Sequence, residues 1–111
     1  MSGLDRVGLR AALERLIADA ETDAFEAAGP VQAGFDAHFK RSKVYGRVYD
    51  QRLQDGLASL ADNGAALAFG YRPPHEHTFR AHGRRATSTA SLTGAIRNWI
   101  AAEEKAEGKA A

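Results

Sequence analysis

Residues 67–82 read LAFGYRPPHEHTFRAH, and their pattern decides the fold class. Leu67, Phe69 and Tyr71 alternate with Ala66, Ala68 and Gly70, the two-residue repeat of a strand with small residues on one face. Pro73-Pro74 stops the ladder, since neither residue has an N–H to donate. His77, Phe79 and Ala81 then alternate with Thr78, Arg80 and His82. The pattern predicts an antiparallel hairpin over residues 65–82. Phe79 and Tyr71 should point at a core, with Arg80 and His82 on the wetter face.

Upstream of the hairpin the period is that of a helix. Leu9, Leu13, Leu16, Ile17, Ala20 and Ala24 recur at three- and four-residue steps and draw one apolar stripe. Ser2 is a candidate cap, with Asp5 three residues on as a weaker form of the capping box. Gly29-Pro30 ends this helix. A short helix is expected over 30–39, with Val31, Phe35 and Phe39 on one face. A longer one is expected over 42–62, with Tyr45, Val48, Tyr49, Leu53, Leu57 and Leu60 as its buried stripe. The polar run 40–43 lies between them, and the sequence leaves open whether it breaks the helix. Asn63-Gly64 makes a good stop, because both residues tolerate the left-handed conformation.

Downstream, residues 83–86 read as a loop, and Thr87, Ser88 and Thr89 offer caps for a last helix. That helix places Leu92, Ala95, Ile96, Trp99 and Ile100 on one face. The fold class is α+β: three to four helices with one antiparallel hairpin near 65–82. The 111 residues form a single domain, with a helical part (1–62) suited to oligomerisation and a hairpin–helix part (65–106).

Cysteine is absent, so a disulfide framework, a Cys-based zinc site and a thiol nucleophile are excluded. The first residues lack an apolar signal-peptide core, and no apolar run is long enough to span a membrane. A soluble, cytoplasmic protein is expected. The net charge of +1 is unevenly spread: residues 1–30 carry −3, whereas residues 72–97 carry +4, with Glu76 against Arg72, Arg80, Arg84, Arg85 and Arg97. The basic segment is the candidate contact surface.

Three chemistries compete for that segment. His75 and His77, two apart on a strand, share a face and could both reach one metal ion, with His82 as a third candidate. Their spacing matches no helical or finger motif, and the neighbouring arginines repel a cation. Paired imidazoles beside arginines could instead cleave RNA by acid–base transfer, yet no nucleophile motif, carboxylate pair or phosphate loop accompanies them. Nucleic-acid binding uses more of the residues. Arg72, Arg80, Arg84, Arg85 and Arg97 would hold phosphates, with Thr78, Thr87, Ser88 and Thr89 as further donors. Gly83 lets a backbone approach closely, and the start of the last helix adds unpaired N–H groups.

The order of hairpin, Gly-Arg loop and short amphipathic helix in residues 69–100 resembles the C-terminal DNA-binding domain of bacterial nucleoid-associated silencers of the H-NS type. The resemblance implies that Gly83, Arg84 and Arg85 form a loop that enters the minor groove. The fuller Trp-x-Gly-x-Gly-Arg signature is absent: Phe79 stands near the Trp position, and one Gly precedes the arginines.

The expected function is therefore a small non-enzymatic nucleic-acid-binding protein, without cofactor, acting on DNA and self-associating; the stripe of the first helix suits a dimer seam and a core wall equally. Phe35, Phe39, Tyr45, Tyr49 and Trp99 are expected in the core. The alternative is an oligomeric protein–protein interaction protein of phage structural, inhibitor or adaptor type.

Overall fold

The computed structural model describes residues 5–110, with side chains to residue 108. The elements run α1 (Arg6–Ala28), α2 (Phe35–Asp62), β1 (Leu67–Arg72), β2 (Glu76–Ala81), β3 (Arg84–Ser88) and α3 (Leu92–Ala110). The class is α+β, with three helices and one three-stranded antiparallel sheet of order β1-β2-β3. The chain divides into two compact units, residues 14–60 and the remainder.

The helical unit holds the later part of α1 and most of α2. Ile17, Ala20 and Ala24 are buried, as are Leu53 and Leu57. A Cβ on Gly56 would fall 2.1 Å from Cδ1 of Leu16, so the bare glycine leaves a notch that this leucine occupies. The short helix expected over 30–39 does not form as a separate element. Gly29 and Gly34 both have positive φ, 77° and 107°, and hold residues 30–34 in a non-helical link. From Phe35 the helix runs unbroken through residues 40–43, because Lys and Arg are good helix formers.

The expected aromatic core of this unit is also corrected. Phe35 is 80% exposed, and Phe39 is exposed too; Tyr45 and Tyr49 are half-buried. The stripe on α1 is the opposite case. Leu9, Leu13, Ile17, Ala20 and Ala24 are buried within the single chain, so this face is core wall and is not available as a dimer seam.

The sheet unit is built on the hairpin read from residues 65–82. β1 pairs with β2 from Leu67↔Ala81 to Arg72↔Glu76, and the chain turns at a cis Pro73-Pro74 bond. The loop expected at 83–86 is instead a turn and a third strand, pairing from Ala81↔Arg84 to His77↔Ser88. Only His82 and Gly83 lie in the turn, with φ of 50° and 78°. Two positive φ values give the mirror-image turn whose twist suits a two-residue hairpin.

α3 packs on β2 and β3. The core holds Phe79, Ala81, Ala95, Ile96, Trp99 and Ile100, with Leu9 and Leu13 from the start of α1. The rings of Phe79 and Trp99 meet edge to face at 5.7 Å, and Trp99 Nε1 donates to the carbonyl of Ala81 at 3.1 Å. Tyr71 was expected in this core but is 54% exposed, because it lies on the edge strand beyond the reach of the helix.

The caps differ in position from those expected. Ser2 lies outside the described residues. Asp5 caps α1, its Oδ1 accepting from the Gly8 N–H at 2.7 Å. Ser91 caps α3, its hydroxyl accepting from the Gly94 N–H at 2.9 Å, while Thr87 and Ser88 belong to β3.

Candidate nucleic-acid interface

Strand pairing sorts the basic segment into two faces. His77, Phe79 and Ala81 of β2 look toward α3, and the register places Leu67, Phe69, Tyr71, Arg84, Ala86 and Ser88 on that same side. The opposite face carries two complete cross-strand rows, Ala68–Arg80–Arg85 and Gly70–Thr78–Thr87, followed by the pair Arg72–Glu76. Ala68, Arg72, Arg80, Arg85 and Thr87 are exposed. Ala68 and Gly70 raise no bulk on the β1 side, so the arginine side chains flank a low floor.

The dimensions suit a polyanion. Strands lie about 4.8 Å apart and rise about 3.4 Å per residue, so the row containing Arg80 and the pair containing Arg72 are separated by about 14 Å. That is near the width of about 12 Å of a major groove. Glu76 accepts from Arg85 at 3.2 Å between exposed groups, a contact that solvent weakens and a phosphate can displace. With three arginines against one glutamate, the face has a net charge of +2.

The remaining candidates are placed elsewhere. Arg84 lies on the helix side and donates through Nε to Glu103, which also accepts from Arg6 at 2.7 Å. Burial by itself raises the Glu103 pKa, but the hydrogen bonds and charges of Arg6 and Arg84 outweigh it, and the net shift is downward. Arg97 is exposed on α3 and not on the open face of the sheet. Gly83 occupies the second hairpin turn, so the Gly-Arg loop implied by the H-NS-type resemblance is here a tight turn running into a strand.

The hydroxyl of Ser88 accepts from the N–H groups of Ala90 and Ser91, and Thr89 sits in the bend between β3 and α3. The start of α3 already uses Ser91 for its own N–H groups: Gly94 donates to the side chain and Ala95 to the carbonyl.

The three histidines are not brought together. His75 lies in the proline turn, one residue before β2, and so does not share a strand face with His77. The ring of His77 rests against Tyr71 at 4.8 Å on the helix side. His82 occupies the turn at the far end of β2, about 17 Å along the strand from His77. Its carbonyl accepts from Arg6, and its Nε2 is buried with no hydrogen-bond partner among the described residues. Among the described residues no group of three or more His, Cys, Asp or Glu side chains could hold a metal ion.

The face contains residues that charge-reading alone undervalues. Ala68 and Gly70 shape it as much as the arginines do. Their signal was the alternation of small and large residues in β1, which marks a flat side of the sheet. No family model, curated protein or solved structure matches the chain.

Proposed function

We propose that this chain is a small cytoplasmic nucleic-acid-binding protein that performs no covalent chemistry and lays the open face of its sheet on the phosphates of duplex DNA. The observation that carries the reading is the clustering of Arg72, Arg80 and Arg85 with Thr78 and Thr87 on one exposed face above Ala68 and Gly70. Arginine and threonine donors are suited to phosphate oxygens, which fix position on a duplex. Aromatic residues are absent from this face, whereas proteins that grip single strands stack bases on aromatic side chains. A duplex is therefore favoured over single-stranded DNA or RNA.

A fluorescence-polarisation titration with duplex DNA, single-stranded DNA and RNA at two salt concentrations tests this directly. Duplex binding that weakens with salt is the expected result. Absence of binding to every nucleic acid at low salt would remove the reading.

A second reading, protein–protein association, is favoured by one observation. Phe25, Val31, Phe35 and Phe39 of the helical unit are all exposed large apolar residues, and Phe35 and Phe39 stack at 6.2 Å. Arg41 lies over the Phe25 ring and Lys43 over that of Phe39, so the patch has a cationic rim. An adaptor, inhibitor or phage structural protein would use such a surface, and its contacts would survive loss of the sheet arginines. No helix among the described residues is long and apolar enough to cross a membrane.

A further inference from the structure

β1 is an edge strand without the usual protection. The sequence LAFGYR bears no charge before Arg72, and no proline or bulge interrupts its pairing. The other edge, β3, begins with Arg84 and Arg85. On the helix side of β1, Phe69 is 37% exposed and Tyr71 54% exposed.

The backbone directions make this edge more specific than an exposed strand in general. The N–H of His82 donates to the carbonyl of Ala66, so Ala66 turns its hydrogen-bonding groups toward β2. Along an antiparallel strand these directions alternate. Leu67, Phe69 and Tyr71 therefore turn theirs toward the open edge. The Leu67 N–H is occupied locally by the Ala65 carbonyl, which leaves the N–H groups of Phe69 and Tyr71 and the carbonyls of all three residues to be paired. The residues with unpaired backbone are thus the same ones that carry the uncovered apolar side chains.

From this we infer that β1 is the seam of a twofold dimer, in which the β1 strand of a second copy adds antiparallel about Phe69. Only a register that pairs residues of equal parity keeps matching faces together. Centred on Phe69, it sets Phe69 against Phe69 and Leu67 against Tyr71 on the helix side. On the open face Ala68 meets Gly70, and small residues oppose small ones. Charge agrees as well: Arg72 lies opposite Ala66 of the second copy, and the two Arg72 side chains stand about 20 Å apart. Pairing through β3 would instead crowd like charges. The two three-stranded sheets become one.

The consequence rests on the nucleic-acid reading. The twofold axis runs through the sheet, so Arg72, Arg80 and Arg85 of both copies share one continuous basic face. The matching ligand is a duplex contacted at two sites related by the same symmetry.

The absence of cysteine makes the seam directly testable. Light scattering without nucleic acid, at tens of micromolar, should give twice the 11.9 kDa of one chain. Phe69→Cys should oxidise to a covalent dimer, since directly opposed residues have Cα atoms about 5.5 Å apart, within disulfide reach. Phe35→Cys, on the helical unit's apolar patch, should stay reduced under the same conditions. Tyr71→Pro removes an outward N–H without touching the ladder to β2, and should give the mass of a single chain with an unchanged circular-dichroism spectrum.

A wild-type protein of 11.9 kDa whose Phe69→Cys variant stays reduced would overturn the inference, as would a dimer that survives Tyr71→Pro. Cross-linking at residue 35 in place of 69 would move the seam to the helical unit and overturn it too. Duplex binding is read separately by polarisation, so a dimer that ignores DNA would sink the nucleic-acid reading and leave the seam standing.

Discussion

Arg84 donates through its Nε to the buried carboxylate of Glu103, and the same carboxylate oxygen accepts from Arg6. One glutamate on α3 thus ties the first residue of β3 to the first turn of α1. The two guanidiniums hold its pKa below the ordinary carboxylate range despite burial. Stability from this group is present above the unfolded pKa of about 4.3 and is lost as pH falls through the lower folded value. Glu103→Gln should cost about 1–3 kcal/mol at neutral pH, the range for hydrogen bonds to charged groups, toward the lower end because both arginines are partly exposed. Urea melts at pH 7 and near pH 3 check this. The difference between wild type and variant should shrink at the acid end.

Trp99 is fully buried, edge-on to Phe79, and its Nε1 donates to Ala81. Trp99→Ala should cost about 3–5 kcal/mol. Trp99→Phe keeps an aromatic ring and removes the indole hydrogen bond, while the Ala81 carbonyl keeps its ladder partner in Arg84; it should cost about 0.5–1.5 kcal/mol. Since it is the sole tryptophan, its emission reports the sheet unit alone: blue-shifted when folded, red-shifted on melting. An emission maximum typical of a solvated indole in the native protein would contradict the packing.

The hairpin was legible because LAFGYR alternates large with small residues and Phe79 and Ala81 alternate with Thr78 and Arg80, with Pro73-Pro74 between them. β3 was not, because Arg84-Arg-Ala-Thr-Ser88 has no apolar alternation. Its inward positions hold Arg84, Ala86 and Ser88, and Arg84 is accepted there only because Glu103 waits nineteen residues away. Nor does His82 announce a turn; a non-glycine residue at φ 50° is unusual in that position. The arginines of the candidate face were found by charge alone. Which of them share a surface depends on register, and register separates Arg84 from Arg85 though they are adjacent in sequence.

The helical unit makes a sharp contrast between two apolar positions on α2. Phe35 is exposed, whereas Leu53 is buried to 2% exposure. Leu53→Ala should cost about 2–5 kcal/mol, and Phe35→Ser should stay within about 0.5 kcal/mol of wild type. Thermal melts of the two variants decide the matter. A large loss from Phe35→Ser would mean that this ring is covered in solution.

The last prediction separates the two faces of the sheet. If Arg80 and Arg85 hold phosphates, the slope of log affinity against log salt should flatten by about 0.9 for each contact removed from duplex DNA. Arg80→Ala and Arg85→Ala should each show this and leave the melting temperature almost unchanged, since both side chains are exposed. Arg84→Ala should do the reverse, lowering the melting temperature through the loss of its bond to Glu103 while leaving the salt slope in place. Arg97→Ala, on the exposed side of α3, should change neither. Polarisation titrations at several salt concentrations, with a melt for each variant, give both quantities. Equal slopes for Arg80→Ala and Arg97→Ala would show that binding follows net charge and not this face.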